Sequence, residues 1–401
     1  MTDLNKEIGA YTKNLNKASK DPNINRAITR AVKSYRETVS STMDRYPHTE
    51  KLAEEVREIK AYSMQHNKEL MEQAMEAIER NHGKAFFAKD KDEVFRILDE
   101  IVGTGKVIVK GKSMLGEELK LRHGLEKAGN EVWETDLGEF ILQLKDDRPM
   151  HILSPAIHVP REQVAEIFSD FFKKEVPPDI AQEVGVVREF LREKYFTADI
   201  GISGANVVAS DTGQVVIIEN EGNVRLCTGA PPVHIVIVGI EKLVPSFLEA
   251  MMTAEVTWRY AQYGAPSYVN IISGPSKTGD IEKVTTYGAH GPKEFYVIFV
   301  DNGRSKMMAE EHFSQASHCL RCGGCMYECP VFQVTAGHYG KTYLSGIGSV
   351  WTAFVEGGAD AAAPMLYTCL RCGRCVERCP MQIDVPSMVG ELRSKVVSSE
   401  E

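Results

Sequence analysis

The sequence is 401 residues long, 43% apolar and 26% charged, with a formal net charge of -9. That balance fits a folded globular chain of two or three structural units, and the acidic charge removes the electrostatic basis for binding nucleic acid or an anionic membrane surface. The first twenty residues are polar, and the longest apolar stretch, 233–240, is interrupted by His234 and Gly239 and far too short for a membrane span. A cytoplasmic protein is expected, and nine cysteines in such a chain point to metal or redox chemistry before structural disulfides.

Residues 1–102 read as helical. Ile24, Ile28, Val32, Tyr35 and Val39 recur at helical spacing until Pro47 breaks the pattern. A second helix is predicted over 49–78, with Thr49 as its cap and its end near Gly83. A third places Val94, Leu98 and Ile101 on one face. Residues 1–85 form a helical N-terminal extension that should pack on the next unit or on a partner. Over 86–303 short apolar β runs alternate with amphipathic helices, the pattern of a layered α/β domain. Strands are predicted at 106–110, 131–135, 151–153, 206–209, 214–218, 233–238, 268–272 and 295–300, and helices at 117–128, 161–172, 180–196 and 244–260. Asp211-Thr212-Gly213 is a hairpin turn signal. One mostly parallel sheet covered by helices is expected. Beyond Asp301 the strands stop, and 304–401 is a third unit of short helices, glycines and cysteines.

Three loops of the middle unit carry polar residues just after or between strands, where open α/β sheets bind ligands: 201–206, 219–223 with Arg225, and 273–280. Gly222, Ser273, Gly274 and Ser276 could offer backbone N–H groups to an anion, with Lys277 or Arg225 supplying charge. Glu219, Glu221, Arg225 and Asp280, with Glu282, are the candidate acid, base or nucleophilic groups. Tight turns, helix capping and a solvated rim explain the same residues without function. None of the loops is a P-loop, and Gly103-Thr-Gly105 precedes its strand, the wrong order for a dinucleotide fingerprint. His158, His234 and His290 lack the spacing of a metal motif and read as structural. Cys227, standing alone, reads as a buried small hydrophobe.

The other eight cysteines fall into two copies of C-x2-C-x2-C-x3-C-P: Cys319, Cys322, Cys325, Cys329 with Pro330, and Cys369, Cys372, Cys375, Cys379 with Pro380. This is the bacterial ferredoxin run, in which three close thiolates hold three corners of a 4Fe-4S cubane and the fourth cysteine ligates the other cluster. The crossed assignment puts Cys319, Cys322, Cys325 and Cys379 on one cluster, and Cys369, Cys372, Cys375 and Cys329 on the second. Zinc, the competing reading, prefers paired C-x2-C knuckles around one ion. Arg371, Arg374 and Arg378 surround the second motif, whereas Arg321, Gly323 and Gly324 accompany the first. Cations near a cluster favour its reduced form, so the second cluster is expected to have the higher potential unless these arginines face solvent or a partner.

The order of several segments carries a resemblance. Val109-Lys-Gly-Lys-Ser-Met114, Glu134-Thr-Asp-Leu-Gly-Glu139, Pro155-Ala-Ile-His158, Thr197-Ala-Asp-Ile-Gly-Ile-Ser-Gly-Ala-Asn206, Asn220-Glu-Gly-Asn-Val-Arg225, Pro231-Pro-Val-His234 and Asp301-Asn-Gly-Arg-Ser-Lys306 precede the cysteine motifs. Over roughly residues 50–395 the chain resembles the LUD-domain lactate utilisation protein B family, the iron–sulfur subunits of L-lactate oxidation complexes. The resemblance implies a sheet domain similar to the sugar-phosphate isomerase and CoA-transferase folds, followed by a helical ferredoxin-like segment with two 4Fe-4S clusters. It also implies partners: a cysteine-rich CCG-domain protein and a second LUD protein. The function expected is electron transfer within a cytoplasmic oxidoreductase complex that oxidises L-lactate or a related 2-hydroxy acid. The alternative is a sheet domain that itself binds or converts a CoA, phosphate or carboxylate compound, with the clusters as accessory redox centres. A redox-sensing interaction module is a third reading that no motif favours.

Overall fold

The computed structural model describes residues 2–398. Four helices open it: α1 (Thr2–Ala18), α2 (Pro22–Arg45), α3 (Thr49–Gln65) and α4 (Asn67–Arg80). Asp21 starts α2 by accepting the backbone N–H of Asn23 and Ile24, and Pro22 occupies the first turn, where its missing N–H costs nothing. The predicted stripe Ile24, Ile28, Val32, Tyr35 and Val39 is buried. The helix expected over 49–78 is two helices that part at His66, and Thr49 is the first helical residue instead of the cap, its hydroxyl donating back to the Tyr46 carbonyl at 2.7 Å.

The strands are β1 (Lys84–Ala88), β2 (Val107–Lys110), β3 (Glu131–Glu134), β4 (Ile200–Ser203), β5 (Val207–Ala209) and β6 (Gln214–Glu219). They continue with β7 (Val233–Gly239), β8 (Leu243–Val244), β9 (Tyr268–Ile272), β10 (Lys277–Thr278), β11 (Thr286–Tyr287) and β12 (Glu294–Val300). Six of them make one sheet in the order β1-β12-β7-β4-β2-β3, with every pair parallel. Its central strands read as unbroken apolar runs because both faces are covered. Ile235, Ile237, Tyr296 and Ile298 enter one core with the helix Lys91–Val102, while Val236, Val238, Phe295, Val297 and Phe299 enter another with Leu70, Ala74 and Ile78 of α4.

The single sheet expected from sequence is supplemented by a second one, β8-β5-β6-β9, in which β6 pairs antiparallel with both neighbours. The 211–213 turn joins β5 to β6, and Gly213 supplies the positive φ of 67° it needs. Two other expectations are corrected. The segment 201–206 is not simply a loop, since Gly201 and Ser203 belong to β4 in the middle of the main sheet. The segment 151–153 is no strand, because the His151 ring turns the chain by accepting the N–H groups of Leu153 and Ser154 at 3.0 and 3.3 Å. Strand β1, within the stretch read as helical, is short and half-exposed, with no alternation to mark it.

After β12 the chain is helical again, from Arg304–Ala309 to Val385–Ser398. The opening helices bind this segment to the sheet domain. Tyr35 of α2 stacks on Tyr327 with ring centroids 4.4 Å apart, accepts from Arg378 at 2.8 Å and donates to the Tyr260 carbonyl at 3.2 Å. Arg36 grips Glu328 through two hydrogen bonds, and Arg57 of α3 donates to the Pro380 carbonyl at 2.8 Å.

Two buried charge networks pin these layers. Arg304 is fully buried; it donates twice to Glu118 at 2.9 and 2.8 Å and once to Glu241 at 2.7 Å, and its guanidinium lies 5.3 Å from the Trp351 ring centroid. Burial alone would raise the Glu241 carboxyl, but Arg304, then Lys242 and Arg321, hold it down to about 2. In the second network the parallel register sets Lys110 beside Glu134, whose two oxygens both lie 2.9 Å from the ammonium, with Glu139 at 3.6 Å and Glu117 at 3.9 Å. Burial and the neighbouring carboxylates push the Glu139 carboxyl well above the usual range, against the lowering effect of Lys110.

Removing one partner of such a cluster strands the rest. Arg304→Met is therefore expected to cost about 3–5 kcal/mol, read as a lower urea midpoint by anaerobic circular dichroism. Lys110→Met should cost a similar amount, whereas Glu139→Gln, at a site where burial and like charges disfavour the ionised carboxylate, should stay within about 1 kcal/mol on the same measurement. Equal losses from Lys110→Met and Glu139→Gln would contradict the raised pKa of Glu139.

Candidate metal centres and an adjoining cavity

The repeated Cys-Leu-Arg-Cys-Gly sequence folds twice into the same backbone. Arg321 and Arg371 have φ of 64° and 53°, Gly323 and Gly373 have φ of 79° and 82°, and one helical turn follows each glycine, Gly324–Glu328 and Arg374–Arg378. Left-handed backbone costs a residue with a Cβ about 1–2 kcal/mol, so two arginines held there mark a loop whose path is dictated by what it encloses. Alternating handedness of this kind gathers successive N–H groups around an anionic centre. One of them, the N–H of Arg371, already donates to Cys369 Sγ at 3.4 Å.

Each loop opens on a cavity. Cys319, Cys322, Cys325, Cys375 and Cys379 line the first, with Leu320, Arg321, Tyr343 and Ile347. Cys325, Cys329, Cys369, Cys372 and Cys375 line the second, with Tyr339 and Pro386. Thus Cys379 stands with the first motif and Cys329 with the second, while Cys325 and Cys375 border both. Burial pushes the Cys322 and Cys375 thiols up to about 12 and those of Cys329 and Cys379 to about 11. Crowded, buried thiols are ill-suited to ionise alone; a cationic iron core reverses that preference, and an all-thiolate donor set suits iron–sulfur chemistry. Cys227, by contrast, is fully buried with only Thr135 Oγ1 at 3.2 Å, and burial raises its thiol to about 12.

The arginines are distributed differently from their sequence neighbourhoods. Arg378, from the second motif, lies 5.2 and 5.4 Å from the ring centroids of Tyr35 and Tyr260, beside Gly324 of the first motif, and its charge acts on Cys322. Arg371 and Arg374 are exposed. Two of the second motif's three arginines are therefore exposed and the third lies against the first cysteine group, which removes the basis for ranking the second cluster's potential higher by counting them.

A third cavity, of about 270 Å3, opens where the main sheet meets the cysteine segment. It lies at the carboxyl ends of the strands, bounded by Lys112 and Ser113 beyond β2, Asp136 beyond β3, Gly204 beyond β4, and Glu241 and Lys242 beyond β7. Ile152, Arg321 and Tyr343 line both this cavity and the first cysteine cavity, so one wall separates them.

Of the candidates expected from sequence, Glu219 and Glu221 line this cavity. The Glu219 carboxylate is already committed: it accepts the N–H groups of Val224 and Arg225 at 2.9 and 3.1 Å and the Asn270 amide at 2.7 Å, fixing the helix Asn223–Gly229 to β9. Burial and the nearby Asp136 raise the Glu221 carboxyl. Gly222 supplies the positive φ of 80° that starts the same helix. Arg225 turns away, its guanidinium 3.8 Å from the Tyr268 ring centroid. Ser273, Gly274, Ser276, Lys277 and Asp280 are not among the lining residues. Ser273 accepts from Gln214, Gly274 passes too close to the Asn81 carbonyl for any side chain, and Ser276 and Lys277 build the small β10–β11 hairpin, where Asp280 accepts from Thr278.

The sequence reading did not single out Lys112, Asp136, Lys242 or Trp258 of this lining. Lys112 and Asp136 fall inside the quoted motifs 109–114 and 134–139, but Lys242 and Trp258 carry no local signal. His234 is buried in β7, bonded to Ser203 at 2.8 Å, and His158 pairs with Asp147 at 3.1 Å, both structural positions. The carboxylates of Glu117, Glu134 and Glu139 lie close enough together to hold a cation, but the Lys110 ammonium already sits among them.

Two known families match successive parts of the chain. The LUD domain family matches residues 71–300, and the 4Fe-4S dicluster domain family matches residues 315–383. That second match, with the two cysteine groups, makes two 4Fe-4S clusters the cofactors of the segment. Lactate utilization protein B of Shouchella clausii (strain KSM-K16) is 35% identical over 361 residues, covering 87% of this chain and 73% of its own. That of Bacillus subtilis (strain 168) is 35% identical over 336 residues, 82% and 67% respectively. An uncharacterized electron transport protein of Escherichia coli (strain K12), YkgF, is 33% identical over 345 residues, 85% and 70%. Among solved structures, a DUF162 family protein from Deinococcus radiodurans aligns with 58% of this chain and 98% of its own at 13% identity and a TM-score of 0.33, too distant a likeness to carry weight. No helix among the described residues is long and apolar enough to cross a membrane. The chain belongs to the LUD-domain family, as a member that carries a 4Fe-4S dicluster segment and is related over most of its length to the lactate utilization proteins B.

Proposed function

We propose that this chain is the iron–sulfur electron-transfer subunit of a cytoplasmic oxidoreductase complex that oxidises L-lactate, or a related 2-hydroxy acid, to pyruvate. The observation that carries the proposal is the pair of adjoining cysteine cavities built into one body with a LUD domain. The names of the relatives, one for lactate utilization and one for electron transport, support it.

Bound in these cavities, the clusters supply one-electron oxidation and reduction. The protein's residues define where that happens. In this reading Cys319, Cys322, Cys325 and Cys379 hold one cluster and Cys369, Cys372, Cys375 and Cys329 the other. Tyr35, Tyr327 and Trp351 exclude water from the first group. The second is open on one side, since Cys372 is exposed and Leu370 is 65% exposed. That open side faces the redox partner, for which a cysteine-rich CCG-domain protein, with a second LUD protein in the same complex, is the proposed choice.

Crossed ligation makes an asymmetric prediction. Cys379→Ser should remove the spectroscopic signal that Cys322→Ser also removes, and Cys329→Ser the signal lost with Cys372→Ser, each with roughly half of the bound iron. Electron paramagnetic resonance of the anaerobically reduced variants reads this out, and the opposite pairing would refute the crossing. For the substrate, L-lactate added to the complex isolated anaerobically with all its subunits should bleach the visible absorption of the clusters. Failure to bleach in the complete complex would discard lactate while leaving the electron-carrier role intact.

A further inference from the structure

The polar groups lining the 270 Å3 cavity are unevenly satisfied. Its acceptors are engaged: Glu219 as described, Asp136 by Lys112 at 2.8 Å and by the Glu139 N–H at 3.1 Å, Glu241 by Arg304 at 2.7 Å, and Glu221 by the Leu137 N–H. Two buried donors are not, and a cation stands beside them. Arg321 Nη2 is buried without a hydrogen bond, 3.8 Å from Glu241. The Trp258 indole N–H is buried and unpartnered. Lys242 is half-buried, its charge acts on Glu241, and burial lowers the pKa of its ammonium.

A buried donor without an acceptor is expensive, and a cavity that holds two of them beside a half-buried ammonium calls for an occupant rich in acceptors and negatively charged. The planar fork of Arg321 suits a carboxylate in particular. Apolar residues, among them Met114, Leu115, Ile152 and Leu153, line part of the wall, which suits a carboxylate on a short carbon skeleton. The location at the carboxyl ends of β2, β3, β4 and β7 is where parallel sheets receive ligands.

We propose that this cavity is a binding site for a small carboxylate, with Lys242, Arg321 and the Trp258 N–H as the groups that receive its oxygens, against the wall of the first cysteine cavity. Arg321 is the physical link, because it lies between Cys319 and Cys322 in the chain and borders both spaces. Occupancy therefore changes the electrostatic surroundings of the first cluster, a consequence that rests on the electron-transfer reading above, whereas binding itself does not.

The test uses the anaerobically purified cluster-loaded chain, with L-lactate and pyruvate as probes and inorganic phosphate as the control anion, in isothermal titration calorimetry. At least one acid should bind and phosphate should bind far more weakly. Lys242→Gln should weaken the acid about tenfold or more, and Trp258→Phe, which keeps the ring and loses the donor, by a few-fold. Adding the acid to reduced protein should also alter the paramagnetic spectrum of the cluster that Cys322→Ser removes. Absence of binding by both acids, phosphate binding as tight as theirs, or unchanged affinity in both variants would overturn the site. Binding with an unchanged cluster spectrum would overturn its position against the cluster wall. Retained acid binding in protein whose clusters cannot be reduced would uphold the site and instead sink the electron-transfer reading.

Discussion

Arg304 is the point through which the molecule is held together. It follows β12, pairs with a carboxylate beyond β2 and another beyond β7, and lies beside Trp351 of the cysteine segment. A fully buried guanidinium is tolerable only if its donors are met, and here the acceptors come from separate parts of the chain. The relation between sheet and clusters is thus fixed by electrostatics as well as by apolar contact. The same Glu241 that receives Arg304 also faces Arg321, so the wall between the cavity and the first cysteine group is an extension of this network.

The apolar contribution is distributed across the same junction. One core joins Ala53 and Val56 of α3, Val256 of the sheet domain's helix and a long series from Met307 to Val396. Another joins the stripe of α2 to Met326, Tyr327, Phe332 and Tyr339. Among the described residues the cysteine segment has no apolar core independent of the opening helices, while α4 packs instead on the sheet. What reads along the chain as three successive units is therefore a single packed body, with the sheet domain placed between its two helical ends in sequence and beside both in space.

How legible this was depended on the range of the interaction involved. The cysteine runs could be read because their chemistry is written within eleven consecutive positions each, and the apolar strands β7 and β12 because covering both faces leaves an unbroken run. Strand β1 escaped because it is an edge strand, half-exposed and five residues long. Glu219 drew attention, with Glu221, as a carboxylate in a glycine loop, but its neighbours' N–H groups consume it. The 273–280 loop had the composition of an anion site and proved to be hairpin chemistry. The cavity was hidden for the opposite reason. Lys242 follows β7, Trp258 stands on the helix Phe247–Tyr260 and Arg321 in the first cysteine motif, and only the packing of these parts brings all three to one cavity.

The grip of Arg36 on Glu328 spans 292 residues. Helix α2 is synthesised early, yet its docking site does not exist until the first motif has emerged, and Arg57 waits longer still for Pro380. The cover that Tyr35 lays over the cysteine segment thus ties together parts of the chain that lie almost at opposite ends of the described sequence. A truncation anywhere beyond the sheet domain therefore removes the surface on which α2 docks as well as the cysteines it covers.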